Sequence, residues 1–353
     1  MLTRRSVVAS AALATILSLL VACGPAQTPG APEAVQTVEV PVIQTVEVPV
    51  EAEGWCSGVT IRFFAGGAEG DAFASIVYRG ARQAEIDLGP TVDYVWSGWN
   101  TETMLAQLRD AIAAGPDGIA FMGHAGDDAV LPLAAEAADA GILMMYQNVD
   151  VPQVRATYSG GYVGAILEPQ GRALGQEALR TLDLEPGDRA IVLGPYGQPG
   201  RFIREEAVAA ALEDGGLIVE RITTPPDAGS NPELMLPDLT AAFLAHPETR
   251  LIVYSGGQLL GQAPMFMEAL GVEPGEVYNI GFDTSPAVMT AFEQGYVQIT
   301  SDQQPFLQGY MPILNLCLSK VYGIAPLFID SGAGFVDTTN WQTVRDLADA
   351  GIR

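Results

Sequence analysis

From Gly58 onward, short apolar runs of strand character alternate with longer segments of helical pattern. The runs at 59–65, 92–96, 118–122 and 142–146 predict strands, and the segments 73–88, 101–113 and 129–140 between them predict helices. After Asn148 the alternation restarts, with strands predicted near 156–159, 190–193, 217–222, 251–254 and 277–281. This regular succession is the signature of βαβ units, so the expected fold is α/β, with two doubly wound, Rossmann-like domains whose parallel sheets are flanked by helices. A chain of 353 residues, 48% of them hydrophobic, is long enough for two cores. In such sheets the crossovers are right-handed and ligands gather beyond the carboxyl ends of the strands. The loops that follow strands are therefore where functional residues are expected.

The first 55 residues break the pattern. Arg4 and Arg5 precede an apolar run over 7–21, which ends in Leu20-Val21-Ala22-Cys23 followed by Gly24. That is an export signal too short for a membrane span. Its end resembles the bacterial lipobox, which implies cleavage after 1–22 and acylation of Cys23. Residues 23–55 are rich in Pro, Val and Glu, and read QTVEVPV at 36–42 and again at 44–50, an extended linker. Without Arg4 and Arg5 the chain carries 15 basic against 42 acidic residues, a net charge of about −27. Such a surface repels nucleic acid and anionic lipid, so the expected membrane contact is through the lipid alone. Cys56 and Cys317 form an even pair in an oxidising compartment, either a disulfide or two buried thiols.

Each loop after a strand offers a candidate contact beside an ordinary structural role. Gly66-Gly67-Ala68-Glu69-Gly70 lacks the GxGxxG spacing of a dinucleotide site; Asp71 reads as a helix cap or a polar contact, and Phe73 as core or a stacking ring. Trp96 and Trp99 flank a turn, and flat rings suit the C–H face of a sugar. His124 has no metal-ligand spacing around it. Asn148 ends the fourth strand, and Arg201 precedes a helix whose dipole disfavours a cation, which leaves ligand binding or an ion pair to explain it. Asp283 and Gln303 end later strands, and Asp283 also reads as an N-cap for a helix starting near Pro286. The chain has no GxSxG and no HExxH, and its one lysine, Lys320, lies in a helical pattern; no metal or cofactor is expected. Paired carboxylates for glycoside hydrolysis stay open because acids are plentiful.

In this order, Asp71-Ala72-Phe73, Gly80-Ala81, Pro116-Asp117-Gly118-Ile119-Ala120, Ala140-Gly141-Ile142, Gly281-Phe282-Asp283 and Gln303-Gln304-Pro305 resemble the ribose/galactose-type sugar-binding proteins of ABC transporters. The similarity runs over about 59–323. It implies the type I periplasmic binding protein fold with a three-crossing hinge: one domain from 57–148 plus 303–325, the other from 149–302, and a tail, 326–353, over the hinge. Phe73 would then stack on a sugar, and Asp71, Asn148, Arg201, Asp283 and Gln303 would bond its hydroxyls, with Trp99, His124 and Gln258 beside them. Two departures stand out: Ser255-Gly256-Gly257 replaces an Asn-Asp pair, and Ala74 replaces a second ring that Trp99 or Tyr196 would have to supply. The helix carrying Cys317 would return to the domain of Cys56, which favours the disulfide.

The resemblance implies a monomeric, extracytoplasmic binding protein that passes a pentose or hexose to a permease and ATPase. The alternative is a receptor presenting an autoinducer, nucleoside or sugar to a membrane sensor; a secreted glycoside-acting enzyme ranks below both. Fatty-acid labelling tests the anchor: the parent should incorporate label and Cys23→Ala should not. Label that persists in the variant would place the anchor elsewhere.

Overall fold

The computed structural model describes residues 54–196, 202–332 and 334–353. Cys23, the linker repeats and Arg201 lie outside these residues. The first sheet forms as β1 (Thr60–Gly66), α1 (Ala72–Leu88), β2 (Thr91–Trp96), α2 (Thr101–Ala114), β3 (Gly118–Met122), α3 (Asp127–Asp139), β4 (Leu143–Gln147), α4 (Pro152–Tyr158) and β5 (Gly161–Gly164). The second follows as α5 (Leu167–Thr181), β6 (Arg189–Gly194), α6 (Ile203–Asp214), β7 (Ile218–Thr223), α7 (Leu236–Ala245), β8 (Thr249–Tyr254), α8 (Gly257–Leu260), α9 (Ala263–Leu270), β9 (Tyr278–Phe282), α10 (Pro286–Glu293) and β10 (Val297–Asp302). The chain ends with α11 (Pro305–Tyr322), β11 (Phe328–Asp330), β12 (Gly334–Asp337) and α12 (Trp341–Asp349).

Each sheet has six strands, ordered β11-β5-β4-β3-β1-β2 and β12-β10-β9-β8-β6-β7. The two orders repeat one another, and every ladder is parallel except β10 with β12. Helices cover both faces, so β3 is buried at all five residues and reads as an uninterrupted apolar run. Both sheets switch direction beside their first strand, and there the crevice for a ligand opens.

The chain passes between the sheets three times, after Gly164, after Asp302 and after Asp330. These crossings are tied together: Ser331 Oγ donates to the Gln303 carbonyl at 2.7 Å, Gln304 Nε2 to the Ser331 carbonyl at 3.1 Å, and the Ser331 amide to the Gly164 carbonyl at 3.0 Å.

Two expectations need correction. Residues 156–159 are not a strand, because Pro152 opens a helix there and the Val154 amide donates to Asp127 Oδ1 at 2.9 Å. The strand comes later, at β5, and pairs with β4, so the chain leaves the first sheet after Gly164 and not at 149. The tail does not simply cover the hinge either: β11 edges the first sheet, β12 edges the second, and Val344 and Ala348 of α12 enter the second core.

α11 returns to the first sheet and lies along α1. Gly80 and Gly309 face each other there, and a Cβ on either would strike the carbonyl of Phe306 or Val77. Beside this contact Cys56 and Cys317, both fully buried, are joined in a disulfide across 261 positions, with Cα atoms 5.6 Å apart. In the chain-entropy account such a link contributes roughly 2–5 kcal/mol by restricting the unfolded chain. Denaturant unfolding with and without reductant should show a loss of that size. Equal stability in both conditions would mean the link constrains little in the unfolded state.

Candidate functional site

The carboxyl ends of the strands in both sheets meet at a cleft of about 220 Å³. This is below the roughly 300–1,000 Å³ of sites for drug-sized molecules. Phe73, Trp99, His124, Asn148, Gln258, Asp283 and Gln303 line it.

The first sheet supplies an aromatic wall. Trp99 stacks on His124, with centroids 5.3 Å apart and planes 17° from parallel, while Phe73 stands 6.0 Å away, tilted by 49°. Trp99 has φ +61, uncommon for a bulky residue. A tight turn holds it: the Ser97 and Gly98 amides donate to the carbonyls of Gly66 and Gly67 at 3.0 and 3.1 Å. Asn100 then caps α2, its Oδ1 accepting from the Thr103 amide at 2.8 Å. The indole lies across Gly66 and Gly67, where added Cβ atoms would meet its ring. The paired glycines after β1 thus make room for a tryptophan.

Asp71, expected to meet the ligand, is not among the cleft-lining residues. Its Oδ1 caps α1 by accepting from the Phe73 and Ala74 amides at 3.0 and 2.8 Å, and its Oδ2 accepts from Trp99 Nε1 at 2.9 Å. It holds the two rings in place.

A relay of polar side chains runs along the floor. His124 Nε2 lies 2.6 Å from Asn148 Oδ1, Asn148 Nδ2 donates to Gln308 Oε1 at 3.1 Å, and Gln308 Nε2 donates to Gln303 Oε1 at 3.2 Å. Gln303 Nε2 donates to Asp283 Oδ1 at 2.6 Å, and the Gly257 amide to Asp283 Oδ2 at 3.2 Å. Asn148 and Asp283 end corresponding strands, β4 and β9, and both have positive φ, +63 and +71. Asp283 does not cap α10; Ser285 does, through the Val288 amide at 3.2 Å. Burial raises the Asp283 carboxyl above the ordinary carboxylate range, opposed by the charge of Arg204 and by the Gln303 and Gly257 donors.

Arg204 and Glu205, which also line the cleft, escaped the reading of the sequence. Arg204 sits in the first turn of α6, at the unfavourable end of its dipole, and three things offset that. Its guanidinium lies 3.8 Å over the Phe282 ring, Nη2 donates to the Ser255 carbonyl at 2.6 Å, and Glu205 Oε1 is 3.2 Å away. The dipole argument applied to Arg201 holds equally for Arg204, and that was the one signal available. Gln308, on α11, also carried no local signal. Thr224 and Ser255 complete the wall on this side; Tyr196 does not line the cleft.

The site thus offers carboxylate and amide oxygens to donors, guanidinium and amide hydrogens to acceptors, and ring faces to apolar surface. Among the described residues no group of His, Cys, Asp or Glu is arranged to hold a metal ion, and no helix is long and apolar enough to cross a membrane.

Known proteins give this geometry a context. The chain is 28% identical over 269 residues to a xylose/arabinose-binding protein of Sulfolobus acidocaldarius, covering 71% of this chain and 64% of that protein's length. A carbohydrate transporter of Acidothermus cellulolyticus, solved with myo-inositol, shares the fold with a TM-score of 0.72 at 22% identity, covering 84% of this chain and 99% of its own. A solute-binding protein of Burkholderia graminis, solved with D-arabinose, does so with a TM-score of 0.71 at 20% identity, covering 81% and 97%. Residues 63–317 match the model of the periplasmic binding protein domain, and the chain belongs to that family.

Proposed function

We propose that this protein binds a neutral five- or six-carbon sugar or cyclic polyol between its two lobes and delivers it to the permease and ATPase of an ABC transporter. The observation that carries the reading is the pairing across a small cleft of an aromatic wall, Phe73 and Trp99, with a polar wall of Asn148, Arg204, Asp283 and Gln303. A sugar ring has an apolar C–H face and an edge of hydroxyls that both donate and accept, and the two walls match the two surfaces. The ligands named for the relatives, xylose or arabinose, myo-inositol and D-arabinose, share that chemistry.

Closure of the lobes about the crossings would exclude water from these bonds and strengthen them. The domains move as the first sheet with α11 and the second with α12. A lipid on Cys23 and the linker after it would keep the protein at the outer face of the membrane.

A thermal-shift screen of pentoses, hexoses and myo-inositol identifies the ligand, since a sugar at a hundred times its Kd adds about 2.7 kcal/mol of stability. Calorimetric titration of Arg204→Ala and Asp283→Asn should then show affinity reduced about ten- to a hundredfold, the effect of removing one partner of a charged hydrogen bond. Circular dichroism should show the parental fold. Both variants binding within twofold of the parent would move the site elsewhere.

A pH series adds a second check. If ionised Asp283 accepts from the sugar, affinity is full above its pKa and falls as acid protonates it. Burial raises that pKa, so the fall should begin above the ordinary carboxylate value of about 4. Asp283→Asn should flatten the profile. A variant that keeps the parent's pH dependence would assign it to another group.

A further inference from the structure

The residues after α12 join parts of the chain that the two sheets keep apart. α12 is seated in the second core by Val344 and Ala348, with Trp341 stacked 6.4 Å from Phe292. At its end the Ala350 carbonyl accepts a hydrogen bond of 2.9 Å from Arg79 Nη1, and Arg79 stands on the exposed side of α1, over the first sheet. A cation there meets the negative end of the helix.

Three residues on, Arg353 turns back to the second crossing. Its Nε donates to Asp302 Oδ2 at 2.9 Å, and its Nη2 reaches the same oxygen. Asp302 is fully buried, and its Oδ1 accepts from the Gln304 amide at 2.8 Å. Gln304 has φ +54, a conformation that a residue with a side chain keeps only when its surroundings impose it. Arg353 pairs with Asp302, Asp302 accepts from the Gln304 amide in that strained turn, and the turn places the adjacent Gln303 against Asp283.

We propose that residues 350–353 are a strap between the lobes, in which Arg79 sets their separation and Arg353 is a positioning residue for Gln303. The effect on affinity rests on the sugar-binding reading; the effect on lobe separation does not. The strap is tested on the full chain by electron–electron distance measurements between spin labels, carried on noncanonical residues at exposed positions 109 on α2 and 244 on α7. Alongside these, the parent and the variants are titrated with xylose, D-arabinose and myo-inositol.

Arg79→Ala and Arg353→Ala should each broaden the distance distribution of the unliganded protein and weaken sugar binding about three- to tenfold. Arg353→Lys should recover part of both. Should Arg353→Ala fail to fold because Asp302 is left buried and unpaired, Arg353→Ala combined with Asp302→Asn removes both charges, and it should fold with the broadened distribution. Variants that melt earlier yet keep the parent's distances and affinity would make the tail merely structural and overturn the strap. If the parent binds none of the three sugars, the ligand is not among them, and the distances alone decide the strap.

Discussion

A carboxylate removed from water must be given donors, and Asp283 is where this requirement organises the cleft. Its oxygens are met by a side-chain amide from the second crossing and by a backbone amide at the start of α8. The side-chain donor is fixed in turn: Gln303 by Gln308, and Gln308 by Asn148. The positive φ at Asn148 and Asp283 turns both side chains inward where their strands end. A chain of bonds thus runs from the loop after β3 to the loop after β8, and no member is free to choose its rotamer alone. Preorganisation of this kind lowers the entropy that a ligand's arrival would otherwise cost.

Much of the fold was legible because buried parallel strands leave apolar runs that periodicity detects. β3 and β8 fall where such runs predicted them. The failure at 156–159 has a local cause, since a seven-residue helix from Pro152 and a short strand of Gly161–Gly164 carry too few residues for either period to register. The loops after strands were also the right places to look, and seven of the expected contacts do line the cleft. What periodicity cannot supply is direction. Asp71 was found in its loop but faces the helix start and Trp99, because amides and an indole N–H claim its oxygens first. Arg204 lies three positions along the sequence from the arginine that was singled out, and only the fold brings it over the Phe282 ring. Gln308 reaches the cleft floor from the interior of a helix distant in sequence, through packing alone.

The two lobes are built alike in strand order yet joined to the chain differently. The second sheet's first ten strands and helices, from α5 to α10, follow one another without interruption, whereas the first core is closed by α11, far along the sequence. The close contact of Gly80 with Gly309 and the Cys56–Cys317 bond both depend on that late arrival. A ribosome makes the chain from its N-terminus, so the second lobe from α5 to β10 is synthesised before the helix that closes the first core exists, and only β12 and α12 come after it. Those elements can therefore begin to pack while α1 still exposes the groove that α11 will fill. Cys56 meanwhile waits as a lone thiol for its partner 261 positions away, and its pairing marks the docking of α11 on the first core.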